Sequence, residues 1–194
     1  MRNFHLIANG IDVSQAVTQL KVNHTLWNQN TLRTQAEGSP HREVSDIWMR
    51  MNDLSKCRQA DTDPVYVDHR ESINYPAWNL LPAVRKLVVN LMAFVEGERM
   101  GRVMISRMEP GTKIGEHADI GPDLTKWYDN EPYYSRFHIV LQGLPGSVFQ
   151  CDGEEVNMRT GEIWWFRNDL PHSVHNNSAD DRLHVVIDIK PLQS

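Results

Sequence analysis

Apolar positions along this chain keep one period up to about residue 96 and another from residue 101 onward. In the first part the spacing is helical. Val13, Ala16, Val17 and Leu20 fall on one helical face, with Asp12 or Ser14 placed to cap its start. A stronger stripe of Val84, Leu87, Val88, Leu91, Met92 and Val95 predicts a helix from about Pro82 to Glu96. Pro82 suits the first helical turn, and Gly97 suits a left-handed cap. Residues 23–80 are polar, are broken by Gly38, Pro40, Pro64 and Pro76, and carry scattered aromatics (Trp27, Trp48, Tyr66, Trp78). Short strands and loops, with room for one short helix, are expected there.

Beyond Gly101 the segments GRVMISRM, SRFHIVLQ, SVFQC, EIWWFR and LHVVIDI are short and rich in β-branched and aromatic residues. Turn signals separate them: Pro110-Gly111, Pro145-Gly146, Asp152-Gly153 and Thr160-Gly161. Strands at this spacing predict a mainly β fold, an antiparallel sandwich or barrel. A double-stranded β-helix, the cupin-like jelly roll with flanking helices, fits the pattern. Residues 1–194 then form a single domain: 1–100 supply N-terminal helices and outer strands packed on the barrel, and 101–191 supply the jelly-roll core.

Composition narrows the class. A hydrophobic content of 40% with 23% charged residues is that of an ordinary globular chain, so neither disorder nor a membrane protein is indicated. No apolar run reaches the roughly 20 residues that a membrane span needs. The first residues, MRNFHLIANGIDVSQ, lack a signal peptide's apolar stretch, so a cytoplasmic protein is expected. A net charge of −5 argues against a polyanion-binding surface, leaving a small molecule or peptide as the expected partner rather than nucleic acid or membrane. Cys57 and Cys151 make no metal-binding pair and are expected as reduced thiols.

Nine histidines direct attention to metal chemistry. In an extended segment residues i and i+2 face the same side, so His117 and Asp119 can grip one ion, with His172 supplying a third ligand from a distant strand. Two histidines and a carboxylate on one face leave three adjacent positions open, which suits non-haem Fe(II) oxygenases. An isolated H-x-D is more often a surface pair. The company it keeps strengthens the metal reading. Arg182, ten residues after His172, opens the last predicted strand, and Arg136 and His138 lie opposite Phe137, Ile139 and Leu141 in SRFHIVLQ. A dicarboxylate cosubstrate needs buried cations, and the guanidinium fork matches a carboxylate. His175, three residues past His172, should face the other way on a strand, whereas His184 shares a face with Arg182 and Asp188.

With these residues in view, the region from about Gly101 to Pro191 resembles the aspartyl/asparaginyl β-hydroxylase family of Fe(II)- and 2-oxoglutarate-dependent dioxygenases. The stretches that carry the resemblance are RVMISRMEPGTKIGEHAD, YYSRFHIVLQ, GEIWWFRN and PHSVHNNSADDRLHVVIDI. The resemblance implies that His117 and His172 bind iron, that Arg182 and the Ser106 hydroxyl hold the distal carboxylate of 2-oxoglutarate, and that Arg136 and His138 hold its metal-proximal end. It further implies consumption of O₂ and 2-oxoglutarate and hydroxylation of an unactivated C–H bond, with an amino acid, free or peptidyl, as the expected substrate. Some members bind iron with histidines only. This chain has Asp119 where they lack an acid, and so looks like the members with a complete triad. From spacing alone, Gly111 to His117 and Gly161 to His172 and Asn176 also echo the two cupin motifs, which bears on fold rather than activity. A cupin-type metalloenzyme or a metabolite-binding jelly roll without 2-oxoglutarate is the alternative. Residues 120–134, with Trp127, Tyr128, Tyr133 and Tyr134, are placed to form a lid. For substrate contacts the residues to watch are Arg42, Trp127 and Tyr134, together with His41 and, for an acidic group, Arg33 and Arg50.

Overall fold

A computed structural model of the chain describes residues 1–53, 72–119 and 134–191. Their order is β1 (Phe4–Ala8), α1 (Ser14–Val22), α2 (Leu32–Gln35), β2 (Ser45–Asn52), β3 (Ser72–Asn74), α3 (Ala77–Leu80), α4 (Pro82–Phe94) and β4 (Gly97–Met108). Then follow β5 (Lys113–His117), β6 (Ser135–Gln142), β7 (Ser147–Cys151), β8 (Glu154–Val156), β9 (Ile163–Phe166), β10 (His172–Asn176) and β11 (Arg182–Pro191). A larger sheet runs β1-β9-β6-β11-β4-β2-β3 and a smaller one β5-β10-β7-β8, each antiparallel throughout. This is the jelly roll. Among the described residues no helix is long and apolar enough to cross a membrane.

The larger sheet is covered on both faces. Ile47, Met49, Val103, Ile105, Phe137, Ile139, Leu141, Val185 and Ile187 pack with Ala16 and Leu20 of α1 and Val84, Val88 and Leu91 of α4. The other face looks into the barrel, where Phe4, Met108, Val140, Trp164 and Phe166 meet Ile114, Phe149 and Val174 of the smaller sheet. This arrangement explains the alternation in β6. Its apolar set faces the helices, while Arg136 and His138 are buried on the barrel side rather than wetted by solvent.

Two local expectations change. The left-handed residue after α4 is Glu96 (φ 51°), not Gly97. Gly97 begins β4, where a Cβ would lie 2.5 Å from Ile189 Cγ2 and 2.9 Å from Met92 Cε, so close packing, not chain reversal, calls for glycine. The N-terminal half also contributes more than a covering layer. β2 is an interior strand between β4 and β3, and β1 forms the opposite edge on β9.

Candidate metal and cosubstrate site

His117 and His172 are direct partners across the β5–β10 pair. Between that pair and Ile114–Val174, β5 advances three residues while β10 advances two. The extra residue is a bulge, and it lets Ile114 and His117 line the same cavity despite their odd spacing. Gly115 in the bulge accepts a hydrogen bond from His117 Nδ1 at 2.8 Å, and Leu170 O accepts one from His172 Nδ1 at the same distance. A carbonyl only accepts, so both rings carry their proton on Nδ1 and present the Nε2 lone pair. Asp119 follows the end of β5, its backbone N–H bonded to Asn168 O at 3.0 Å.

The ligand atoms of His117, Asp119 and His172 all lie within 4.8 Å of one another. Asp119 Oδ1 is 4.0 Å from His117 Nε2, and Oδ2 is 3.7 Å from His172 Nε2. Burial opposes a proton on either ring: it lowers the His117 pKa and brings that of His172 to about 4. Burial would raise Asp119, but the Arg136 guanidinium and the His172 imidazole more than offset it, leaving the carboxylate below its usual range. At neutral pH the three groups are thus two neutral imidazoles and a carboxylate, the protonation state that a divalent ion requires. His175 lies outside this group and is half-buried.

The cavity that His117 and His172 line has about 450 Å³ of non-atom space, open solvent at its mouth included. Ser106, His138 and Arg182 also line it, together with Phe149, Phe166 and Met104. Arg182 is 2% exposed, and burial lowers its pKa to about 9. Its Nη1 touches Met108 Sδ at 3.7 Å, its Cζ lies 5.8 Å from the Phe149 ring centre, and its Nη2 has no hydrogen-bond partner among the described residues. His138 Nδ1 is 3.1 Å from Nδ1 of His184, a ring 1% exposed that stands behind the lining. Burial lowers the pKa of both well below the usual value, so one neutral ring donates to the other.

Arg136 differs from expectation in its company. Its Nη1 lies 2.6 Å from Asp119 Oδ1, and its Nε and Nη2 bond the two oxygens of Asp188 at 2.7 and 3.0 Å. Asp188 and Arg102, which bonds Asp188 Oδ2 at 3.1 Å, were not singled out as site residues from sequence. The two-residue alternation of Arg182, His184, Val186 and Asp188 along β11 is the signal that points to Asp188.

Of the residues watched for substrate contact, His41 reaches the site. It lines the cavity, its ring 4.8 Å from that of His117 in an edge-to-face arrangement. Arg33 lines it too, gripped by Asp46 through Nε at 2.8 Å and Nη2 at 2.7 Å. Arg42 is exposed, and Arg50 bonds Met100 O and Asn74. Tyr134 is buried beside Gly101 rather than in the lining. Trp127 and the expected lid up to Tyr133 lie outside the described residues, as does Cys57. Cys151 is a buried free thiol that burial pushes up to about 11.

The family model for aspartyl/asparaginyl beta-hydroxylases matches residues 11–191, nearly the whole chain. The chain belongs to the aspartyl/asparaginyl β-hydroxylase family. Over 78 residues the chain is 31% identical to L-proline cis-4-hydroxylase of Rhizobium meliloti (strain 1021), an alignment covering 40% of this chain and 28% of that protein. The fold is shared with solved structures over nearly full length. A viral collagen prolyl hydroxylase from Paramecium bursaria Chlorella virus-1, solved as its 2-oxoglutarate complex, aligns at a TM-score of 0.56 and 9% identity, over 98% of this chain and 97% of that one. An oxidoreductase of the 2-oxoglutarate-Fe(II) oxygenase family from Burkholderia pseudomallei aligns at 0.51 and 15% identity, over 94% and 92%.

Proposed function

We propose that this β-hydroxylase family member is an Fe(II)- and 2-oxoglutarate-dependent dioxygenase that hydroxylates an unactivated C–H bond of an amino acid, free or peptidyl. The observation that carries the reading is the pairing of guanidinium groups around the cavity. Arg33 has Asp46, and Arg136 has Asp119 and Asp188. Arg182, the most buried of the three, has no carboxylate partner among the described residues. A buried cation without a counter-ion is costly, and a dicarboxylate reaching from the metal ligands to Arg182 would offset that cost. The residues fit both groups. Two Nε2 lone pairs and a carboxylate suit Fe(II), and the Arg182 guanidinium with the buried Ser106 hydroxyl suits the far end of the keto acid.

Bound there, iron and 2-oxoglutarate would supply the oxidising chemistry that converts O₂, the keto acid and a C–H bond into an alcohol, succinate and CO₂. The chain's own work is placement. His117, Asp119 and His172 would hold the ion, while Arg182 and Ser106 would fix the distal carboxylate. His138, donating from Nε2 while its Nδ1 accepts from His184, orients the end nearer the metal. Phe149, Phe166 and Met104 keep water from the reacting carbon. His41 and Arg33 line the same cavity and are the substrate-side groups of this reading.

The test is anaerobic titration of the Fe(II)-loaded protein with 2-oxoglutarate. A weak visible charge-transfer band is expected, and its absence would sink the assignment. Succinate release with a panel of amino acids and peptides then identifies the substrate. The name of the Rhizobium relative makes L-proline the first compound to try.

A further inference from the structure

Four charges form a chain of ion pairs at the proposed metal site: half-buried Arg102, buried Asp188 and Arg136, and half-buried Asp119. Asp188, 2% exposed, takes the Nε and Nη2 edge of Arg136 in a two-point grip, with Arg102 on the same Oδ2. A planar guanidinium gripped along one edge cannot rotate, so the direction of its remaining nitrogen is fixed. That nitrogen, Nη1, meets Asp119 Oδ1 at 2.6 Å. Asp119 Oδ2 is buried with no hydrogen-bond partner among the described residues, 3.7 Å from His172 Nε2. The carboxylate is therefore divided, one oxygen committed to a guanidinium and the other left for an ion.

We infer that Arg136, aimed by Asp188 and Arg102, is a positioning residue for the metal ligand Asp119: it holds Oδ1 so that the carboxylate ligates through Oδ2 alone. This rests on the metal-site reading above and departs from the role that the family resemblance gives Arg136. A carboxylate swung to bind through both oxygens would consume a coordination position that the cosubstrate or O₂ needs. The guanidinium prevents the swing. Each of its three nitrogens has a carboxylate oxygen as partner, so in this proposal the metal-proximal end of 2-oxoglutarate falls to His138 and the ion.

The two roles make opposite demands on two dissociation constants. Co(II) alone serves as the first probe, followed by 2-oxoglutarate titrated at saturating Fe(II) without oxygen. Arg136→Lys keeps the charge and loses the fork. It is expected to weaken Co(II) binding about tenfold or more, in the range for residues that orient ligands, while the 2-oxoglutarate constant at saturating metal moves less than about threefold. In an Asp119→Ala background the same change should have no further effect on Co(II) affinity, because the carboxylate through which it acts is gone. Asp188→Asn should repeat the Arg136→Lys result. It leaves the buried Arg136 and half-buried Arg102 guanidinium groups short of a counter-charge, so should it fail to fold, the Arg136→Lys and Asp119→Ala pair decides alone. An unchanged Co(II) constant with a raised 2-oxoglutarate constant, or additive losses in the double variant, overturns the proposal. Because Co(II) affinity is read without any keto acid, a protein that gave no charge-transfer band would refute the oxygenase reading and leave this result standing.

Discussion

Arg182 keeps its charge in a place where no described carboxylate neutralises it, a cost to folding that the proposed cosubstrate would offset. Replacing it by Met, of similar length and no charge, separates the two effects. The Arg182→Met protein in chelator should melt above wild type by calorimetry, because a desolvated charge has been removed. Its 2-oxoglutarate dissociation constant, read from the charge-transfer band, should rise about 10- to 100-fold, as expected for losing a charge-assisted hydrogen bond of about 1.5–3 kcal/mol. A lower melting temperature together with unchanged 2-oxoglutarate binding would assign Arg182 to structure instead. The residue scale also shows how far side-chain identity reads from sequence. His117, Asp119 and His172 stand out because their types and spacing suit one ion. The commitment of Arg136 to Asp119 and Asp188 does not, because a guanidinium's partner depends on which strands become neighbours.

At the scale of elements, register decides the site. A one-residue slip of β10 on β5 would turn His172 out of the cavity. The bulge at Gly115 that brings both Ile114 and His117 inward has no signature in hydrophobic period, and β5 itself is not among the segments that this period marks as strands. The start and the buried face of α4 were legible because its stripe is long and regular, Val84, Val88 and Leu91 being its buried positions, whereas the helix ends at Phe94 rather than Glu96. It covers the sheet face away from the cavity. Leu91→Ala should therefore cost about 2–5 kcal/mol in urea unfolding while Co(II) affinity stays within about twofold. Coupled loss of both would mean that the outer core and the site are not separable. At the junction after α4, Gly97→Ala must displace Ile189 or Met92 and should cost about 1–3 kcal/mol by the same measurement.

Across the whole molecule, burial has collected neutral imidazoles. His41, His117, His138, His172 and His184 are all held below the ordinary histidine pKa, with burial the first cause in each. Once unfolded, each titrates near 6.5. Between that value and about 4, where His172 titrates in the folded chain, the unfolded state binds more protons, so stability falls as pH drops through the window. His172 alone accounts for roughly 3 kcal/mol across it, at about 1.4 kcal/mol per pH unit. The metal-free protein should show this loss by denaturant unfolding at pH 6.5, 5.5 and 4.5. A flat profile would mean that these rings are protonated in the folded state.

The sequence by itself determined the fold class, the α4 helix, the strand-rich second half and the three side chains proposed as metal ligands. These follow from hydrophobic period, turn residues and side-chain chemistry, all of which are local. Only the tertiary structure decided that β2 sits inside the main sheet, that His41 and Arg33 reach the cavity while Arg42 does not, and that Arg136 points its last nitrogen at Asp119. Those outcomes depend on pairings between residues dozens of positions apart, fixed when two sheets close over one core, and no spacing along the chain encodes them.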